Sequence, residues 1–313
     1  MTRRYPKVQQ IQLPAGGKRA VIGDHPTRGS KNPADGTIRP TVVVLGATSA
    51  VGQGAVRAAF SSGRRVVAVD EHRGQLGAIR ALHPDADLAV RAATIANDAD
   101  AERLAAMLRR DDRPIEGVID AMPFSPGRGR LIDQPTDVLR ETLAGDLLPH
   151  LSAARHLIPL LAETKRGGSY VLIGGPGSEA SWLNYGCRSV SAAALRMLAN
   201  VLHDEAQSLD VRVQMLLVET PMRGETCVAS QCPQWPSGDA VGKQALRLID
   251  REAAANPARP VVRFARPAVH DVGGVESAAA GTTTRQSVFP DVPTFLKTLI
   301  SDDRNEVFPD DTP

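Results

Sequence analysis

Residues 41–54, TVVVLGATSAVGQG, join a wholly apolar run to a glycine-rich turn and then to a segment of small residues. A short apolar run that ends at a turn is typical of a buried strand in a parallel sheet. The small residues beyond the turn predict a helix, whose first N–H groups have no acceptor within the helix. The sequence therefore predicts an anion-binding helix N-terminus directly after the first strand.

A second apolar run, at 65–70, ends in Asp70. In a strand–turn–helix–strand unit, a carboxylate at the end of the second strand is placed to accept hydrogen bonds from a ribose diol. The glycine-rich turn and Asp70 together predict a dinucleotide site, with the pyrophosphate at the turn and the adenosine ribose at Asp70. A tight turn that binds no ligand is the alternative interpretation of the glycines.

Short apolar runs alternate with longer helical stretches from Thr41 to about residue 265. This alternation predicts an α/β fold, a doubly wound (Rossmann-type) parallel sheet of about seven strands with helices on both faces. Strands are expected at 41–46, 65–70, 87–92, 116–121, 169–173, 211–217 and 261–264. Helices are expected at 50–62, 73–82, 99–110, 137–165, 184–207 and 239–254, the one at 137–165 as a single long amphipathic helix.

The composition excludes several classes of protein. A net charge of +2 and an aromatic content of 4% argue against a nucleic-acid partner. No apolar run reaches the roughly 18 residues that span a bilayer, and the basic start of the chain has no apolar signal segment, so we expect a cytoplasmic protein without membrane attachment. The three cysteines lack the spacing of a zinc site, so no metal is expected.

Three regions are expected along the chain. Residues 1–40 form a basic N-terminal extension rich in Gly and Pro, and residues 271–313 form a C-terminal extension. Between them, residues 41–270 form the dinucleotide-binding domain. A loop at 222–237 within that domain is interpreted as a lid over a small-molecule substrate, with an irregular connection as the alternative.

Three segments resemble the short-chain dehydrogenase/reductase family: the turn at 46–52, the helix that follows Tyr185, and Thr220–Met222 after the sixth strand. The resemblance covers about residues 41–265 and rests on the order and spacing of these segments. The family's turn, Gly-x-x-x-Gly-x-Gly, has alanine for its middle glycine here. The resemblance implies cofactor contacts at Gly46, Thr48, Ser49, Ala50, Val51, Gly52, Asp70, Ala121, Met122, Ile173, Tyr185 and Thr220.

The resemblance also implies a Tyr-x-x-x-Lys pair, of which Tyr185 remains while Ser189 occupies the lysine position. A free tyrosine has a pKa of about 10, so proton transfer at neutral pH needs a cation nearby. Arg188 is the candidate cation. The family's serine after strand five is replaced by glycines at 174–175, and Ser178 is the nearest hydroxyl. The predicted catalytic set is therefore Tyr185, Ser178, Arg188 and Ser189.

Two further family motifs are altered. The Asn-Asn-Ala-Gly segment after strand four reads Asp120-Ala121-Met122-Pro123, and the helix asparagine of the family's proton relay aligns near Asp146. His150 lies one turn later. A histidine at that position is interpreted either as part of the site or as a residue that faces solvent or a partner.

Two functions remain open from the sequence. One is a divergent oxidoreductase that acts on a ketone or a secondary alcohol with NAD as cofactor, since the carboxylate of Asp70 would repel the 2′-phosphate of NADP. The other is a catalytically silent, dinucleotide-binding relative that serves as a regulatory or structural subunit. In either case we expect a homodimer or homotetramer formed through helices 137–165 and 184–207. The alternative interpretation is that these helices only cover the sheet.

Overall fold

The computed structural model describes residues 40–111, 113–125, 127–164, 167–222, 235–250 and 259–265. The strands are β1 (Thr41–Leu45), β2 (Arg65–Asp70), β3 (Leu88–Ala92), β4 (Ile115–Asp120), β5 (Ser169–Gly174), β6 (Arg212–Leu217) and β7 (Val261–Arg263). The helices are α1 (Ala50–Ser61), α2 (Arg73–Leu82), α3 (Asp98–Arg110), α4 (Thr136–Asp146), α5 (Leu148–Ala162), α6 (Gly186–Ala206) and α7 (Gly238–Ile249).

The strands form one sheet of seven in the order β3-β2-β1-β4-β5-β6-β7, and every neighbouring pair is parallel. The chain leaves β1 in one direction along the sheet and returns to its other side at β4. The crevice outside the carboxyl ends of β1 and β4 is therefore the switch point where doubly wound sheets bind ligands. The α/β fold expected from the sequence is confirmed.

Successive residues of β1 face opposite layers of the core. Val43 and Leu45 pack with α3, α5 and α6, whereas Val42 and Val44 pack with α1, α2 and α7. All five residues of β1 are buried, because both faces of the sheet are covered. The continuous apolar run at 41–45 is explained by this double burial.

The single long helix expected at 137–165 is wrong. The structure has two helices, α4 and α5, that meet at Leu147. Pro149 has no N–H to continue the hydrogen-bond ladder of α4, and its fixed φ favours the first turn of a new helix. This break places Asp146 at the end of one helix and His150 in the first turn of the next.

Several expectations fall on residues outside the described ranges. These are the N-terminal extension before residue 40, most of the predicted lid at 222–237, and the C-terminal extension at 271–313. Over the described ranges, none of the helices combines the length and the apolar composition that crossing a membrane requires. Those same ranges bring together no group of three His, Cys, Asp or Glu side chains able to hold a metal.

Candidate functional site

The turn between β1 and α1 fits against the end of β4. Gly46 has a φ of +64°, a conformation that side-chain-bearing residues rarely adopt. A Cβ at this position would lie 2.5 Å from the carbonyl oxygen of Ala121. Glycine is therefore needed at 46 both for the backbone conformation and for the close contact between two strand ends.

Helix α1 begins at this turn with donors that point away from the helix. Ser49 caps the helix, because its Oγ accepts from Gly52 N at 3.0 Å and donates to the carbonyl of Ala121, also at 3.0 Å. The amides of Ala50 and Val51 belong to the first turn, where N–H groups have no acceptor within the helix. These two donors and the helix dipole fit the pyrophosphate of a dinucleotide.

Asp70 lies at the end of β2 beside this turn, and both of its carboxylate oxygens are occupied. Oδ2 accepts from Thr48 N at 3.1 Å and from Thr48 Oγ1 at 2.8 Å. Oδ1 accepts from His72 N at 3.0 Å and from His72 Nδ1 at 2.8 Å. A carboxylate offers about four lone-pair sites, so a ribose hydroxyl has to replace one of these donors.

The charge of Asp70 is stabilised at this position. Burial raises the pKa of the carboxyl. The hydrogen bonds from His72 and Thr48 together lower it by more, so the pKa lies below its usual value. The hydrogen bond to Asp70 in turn raises the pKa of His72, against a lowering effect of burial. The end of β2 therefore carries a negative charge next to an exposed imidazole whose pKa is raised.

The remaining cofactor-contact candidates lie along the same edge of the sheet. Ala121 N donates to the carbonyl of Leu45 at 3.0 Å, so the residue after β4 is fixed beside the end of β1. Met122 follows it and packs on the core, Ile173 is buried near the end of β5, and Thr220 is exposed beyond β6. Parallel strands bring these three strand ends to one edge.

Tyr185 immediately precedes α6 and is held by its neighbours. Its N–H donates to the carbonyl of Trp182 at 3.0 Å, and the two rings lie 4.9 Å apart. Gly129, from the loop before α4, pairs with this segment through a hydrogen bond from Gly186 N at 3.2 Å. The guanidinium of Arg128 lies 5.6 Å from the centre of the Tyr185 ring. The backbone at Tyr185 is thus fixed from two sides.

Comparison with known proteins then identifies the family. A family profile described as "Enoyl-(Acyl carrier protein) reductase" matches residues 46–230, more than half of the chain. The chain belongs to the short-chain dehydrogenase/reductase family. The turn at Gly46 and the Tyr185 helix, on which the resemblance was based, both lie within the matched residues. Among curated protein sequences, none matches the chain.

Solved structures of short-chain dehydrogenases and related reductases share the fold. A short-chain type dehydrogenase/reductase from Mycobacterium ulcerans has a TM-score of 0.64 at 18% identity, covering 72% of this chain and 87% of that one. An oxidoreductase of the family from Burkholderia thailandensis has a TM-score of 0.62 at 22% identity, covering 73% and 92%. ElxO with NADP bound has a TM-score of 0.65 at 10% identity, covering 72% and 97%.

The two predicted catalytic serines of this short-chain dehydrogenase/reductase lie in neighbouring segments. Ser189 Oγ donates to the carbonyl of Tyr185 at 2.9 Å and accepts from Trp182 N at 2.9 Å. Ser178 is buried in the turn after β5, next to Gly177, whose α-carbon faces Ser189. The hydroxyl at the family's lysine position therefore holds the loop before α6 in place.

Arg188 lies between two aromatic rings that sequence reasoning did not single out. Its guanidinium carbon is 5.5 Å from the ring centre of Phe124 and 5.8 Å from that of Trp182. Burial lowers the pKa of Arg188, while the charges of Asp146 and Tyr185 oppose that change. The only signal in the sequence was the position of Arg188 one residue from the family's lysine.

A fully buried polar cluster contains Asp120 and His150, two residues that the sequence had singled out; the interpretation of His150 as facing solvent is wrong, and the pairing of the two residues was not predicted. Asp120 Oδ2 accepts from His150 Nδ1 at 2.8 Å and from the hydroxyl of Tyr170 at 2.9 Å. Burial first, and then the charge and hydrogen bond of Asp120, raise the pKa of Tyr170 well above its usual range. An acid at the end of an apolar strand was the available signal, since a buried carboxylate needs partners.

Proposed function

We propose that this short-chain dehydrogenase/reductase is an NAD(H)-dependent oxidoreductase that reduces a ketone or oxidises a secondary alcohol. One observation carries the proposal: the capped N-terminus of α1, the Asp70 carboxylate and the anchored Tyr185 are contributed by segments that the fold brings to the carboxyl edge of one parallel sheet. This edge offers a place for a dinucleotide and a proton donor for its substrate.

The fit of a nicotinamide dinucleotide rests on two features of the chain. Gly46 lets the turn close against the backbone of Ala121 and Met122, and the first amides of α1 supply donors for the pyrophosphate. When bound, the cofactor supplies or accepts the hydride at the substrate carbon. Ala50 stands where the family has glycine, and as the first residue of α1 it needs no left-handed conformation.

The residues of the chain itself bind the substrate and transfer the proton. In the reducing direction, the Tyr185 hydroxyl donates its proton to the carbonyl oxygen as the hydride reaches the carbon, and in the oxidising direction it takes the proton back. Arg188, three residues after Tyr185 in the first turn of α6, supplies the positive charge that the family takes from lysine. Ser189 holds the loop that carries Tyr185 through its hydrogen bonds with Trp182 and Tyr185.

The preference for NAD over NADP follows from charge. The Asp70 carboxylate repels a 2′-phosphate, whereas it accepts a hydrogen bond from a free 2′-hydroxyl once Thr48 or His72 gives up its place. The test is calorimetric titration with NADH and NADPH. We expect the wild type to bind NADH more tightly than NADPH, and Asp70→Ser should narrow this difference in affinity. Equal affinities in the wild type would contradict the assignment.

The chemical role of Tyr185 is tested by activity over a panel of ketones and secondary alcohols. Tyr185→Phe should lower kcat by about 10²- to 10⁴-fold, the usual contribution of general acid–base catalysis. Tyr170→Phe is the matched control, because it removes a hydroxyl buried against Asp120. Turnover that Tyr185→Phe leaves unchanged would refute the proposal.

The alternative, a catalytically silent relative, is favoured by one observation: the lysine position is a buried serine with both hydrogen bonds used inside the protein. A silent relative binds NADH in the calorimeter but turns over no carbonyl compound in either direction. The same two measurements therefore separate the candidates, because only the enzyme shows both binding and turnover.

We also propose that two copies associate through α5 and α6. Val190, Met197 and Val201 form an exposed apolar stripe along α6, spaced so that they share one face. Leu148 and Leu151 are exposed apolar side chains on α5. These helices lie within the segments 137–165 and 184–207 in which the sequence predicted an interface.

Sedimentation tests this association. Met197→Glu introduces a charge into the stripe and should shift the protein towards the monomer. Leu82→Glu is the matched control, because Leu82 is exposed on α2, outside the stripe. A monomeric wild type, or an assembly that tolerates Met197→Glu, would contradict the proposal.

A further inference from the structure

Arg188 is an unusual arginine for the surface of a helix, because it is half-buried and two aromatic rings lie near its guanidinium. Phe124, from the segment after β4, and Trp182, from the loop before α6, lie on its guanidinium at 5.5 and 5.8 Å. Flat aromatic faces hold a planar guanidinium in one orientation and limit its access to water. The fork of N–H donors is therefore set in direction before any ligand arrives.

The donors of this guanidinium are not fully used by the protein. Arg188 Nε is buried and has no hydrogen-bond acceptor among the described residues. Asp146 is the acid that interacts with its charge, but the two oxygens of Asp146 accept from Ser125 N at 2.8 Å and from Ser191 Oγ at 3.0 Å. Burying a cationic donor without an acceptor costs folding free energy, unless a bound anion accepts its hydrogen bond.

The position of the guanidinium places it on the substrate side of the site. Gly175 follows β5, where the family has its serine, and a Cβ built on it would lie 3.7 Å from Arg188 Nη2 and 3.4 Å from the Phe124 ring. The missing side chain leaves ordinary contact space beside the fork. Arg188 also lies three residues after Tyr185, in the first turn of α6.

The geometry points to Arg188 as the binding group for a carboxylate on the substrate, so that the enzyme acts on a small oxo acid or on the corresponding hydroxy acid. This inference rests on the proposed function and deepens it. A guanidinium fork binds a carboxylate through two parallel N–H···O bonds, which fixes both position and orientation. Bound in this way, the acid presents its carbonyl or hydroxyl group towards Tyr185.

Kinetics with matched substrates is the first test. Wild type is compared with Arg188→Met and Arg188→Lys on α-keto and β-keto acids and on their methyl esters. Arg188→Met should lower kcat/KM for the preferred acid by about 10- to 100-fold more than it lowers kcat/KM for the ester, because both substrates lose the charge near Tyr185 but only the acid loses a charged hydrogen bond. Arg188→Lys should recover part of the loss, since it keeps the charge without the fork.

Arg196→Met is the matched control, because Arg196 lies on the same helix and also has a buried Nε without an acceptor in the described ranges, but it pairs with Glu179 at 2.9 Å. It should leave the preference for acid over ester unchanged. An equal loss on acid and ester in Arg188→Met would assign Arg188 to Tyr185 rather than to the substrate and overturn the inference. Unchanged kinetics with both substrates would overturn it as well.

A second test does not depend on turnover. The Nε–H resonance of Arg188, assigned by its disappearance in Arg188→Lys, is followed by ¹⁵N NMR in the wild-type chain during titration with sodium malonate and, separately, with inorganic phosphate. A saturable shift with malonate supports the site even if no carbonyl compound is turned over, a result that would defeat only the proposed function. No shift with malonate, or a shift with phosphate alone, overturns the inference.

Discussion

The carboxylate of Asp70 accepts two hydrogen bonds from Thr48 on a single oxygen, one from the backbone N–H at 3.1 Å and one from the hydroxyl at 2.8 Å. The two residues are 22 positions apart. This pair joins the turn after β1 to the end of β2, so the proposed pyrophosphate and ribose positions are linked by hydrogen bonds. The hydroxyl of Thr48 also occupies a lone pair that a ribose would use.

Thr48→Val should separate these two effects. Loss of the hydroxyl removes one hydrogen bond to a charged group and should lower the free energy of unfolding by about 1–2 kcal/mol. The affinity for NADH should stay the same or rise, because Asp70 Oδ2 gains a free acceptor site. Urea unfolding and calorimetry measure the two quantities, and Thr48→Ser, which keeps the hydroxyl, is the control. A large loss of NADH affinity would instead place the Thr48 hydroxyl in contact with the cofactor.

The stability that Asp70 contributes should depend on pH with a definite sign. Its pKa in the folded protein is lowered, mainly by hydrogen bonds that outweigh burial, so the unfolded chain binds more protons in the acid range. Its contribution is present above the unfolded pKa of about 3.9 and is lost as the pH falls through the folded pKa. The difference in unfolding free energy between wild type and Asp70→Asn should therefore be largest near neutral pH and vanish in strong acid.

His72 should show the opposite dependence. Its pKa is raised by Asp70, so its contribution is complete below the unfolded value of about 6.5 and is lost as the pH rises through the folded value. The ring is exposed, so the effect is small. His72→Gln compared with wild type by urea unfolding at several pH values checks it. A difference that grows with rising pH would contradict the assigned direction.

The buried partners of Asp120 should be strongly coupled to stability. His150→Phe removes one of the two donors to Asp120 Oδ2 and should cost about 3–5 kcal/mol, the penalty of leaving a buried charge poorly compensated. His203→Phe is the matched control, because buried His203 donates through Nδ1 only to the carbonyl of Val213, a neutral acceptor. His203→Phe should therefore lower the free energy of unfolding by only about 1 kcal/mol. Equal losses of unfolding free energy in the two variants would contradict this coupling between His150 and the buried acid.

Gly46→Ala should damage both stability and cofactor binding. Alanine at a φ of +64° is strained, and its Cβ would collide with the backbone of Ala121 and Met122, so the turn has to move. Gly77→Ala is the matched control: Gly77 is in α2 with open space around its α-carbon, and alanine there should stabilise the helix by about 0.5–1 kcal/mol. Thermal unfolding and NADH titration test both variants. Full NADH binding by Gly46→Ala would rule out the close fit at this turn.

The local pattern of the sequence was sufficient to predict the sheet. Apolar runs of four to six residues, each followed by a helical stretch, gave the strands and their parallel arrangement, because burial on both faces leaves a continuous hydrophobic run in the chain itself. The positions of Gly46 and Asp70 followed from the same pattern. The single helix at 137–165 failed because its apolar period continues through Pro149, and period alone does not reveal a change of helix axis.

The sequence by itself determined the α/β fold, the turn at Gly46 and the acid at the end of β2, because these depend on hydrophobic period and on residues close together in the chain. Only the tertiary structure decided the partners of each polar group. Asp70 accepts hydrogen bonds from Thr48, and Asp120 accepts them from His150 and Tyr170. The guanidinium of Arg188 lies near the rings of Phe124 and Trp182. Hydrogen bonds and ring contacts act over a few ångströms, and folding alone brings residues from separate strands and loops within that distance.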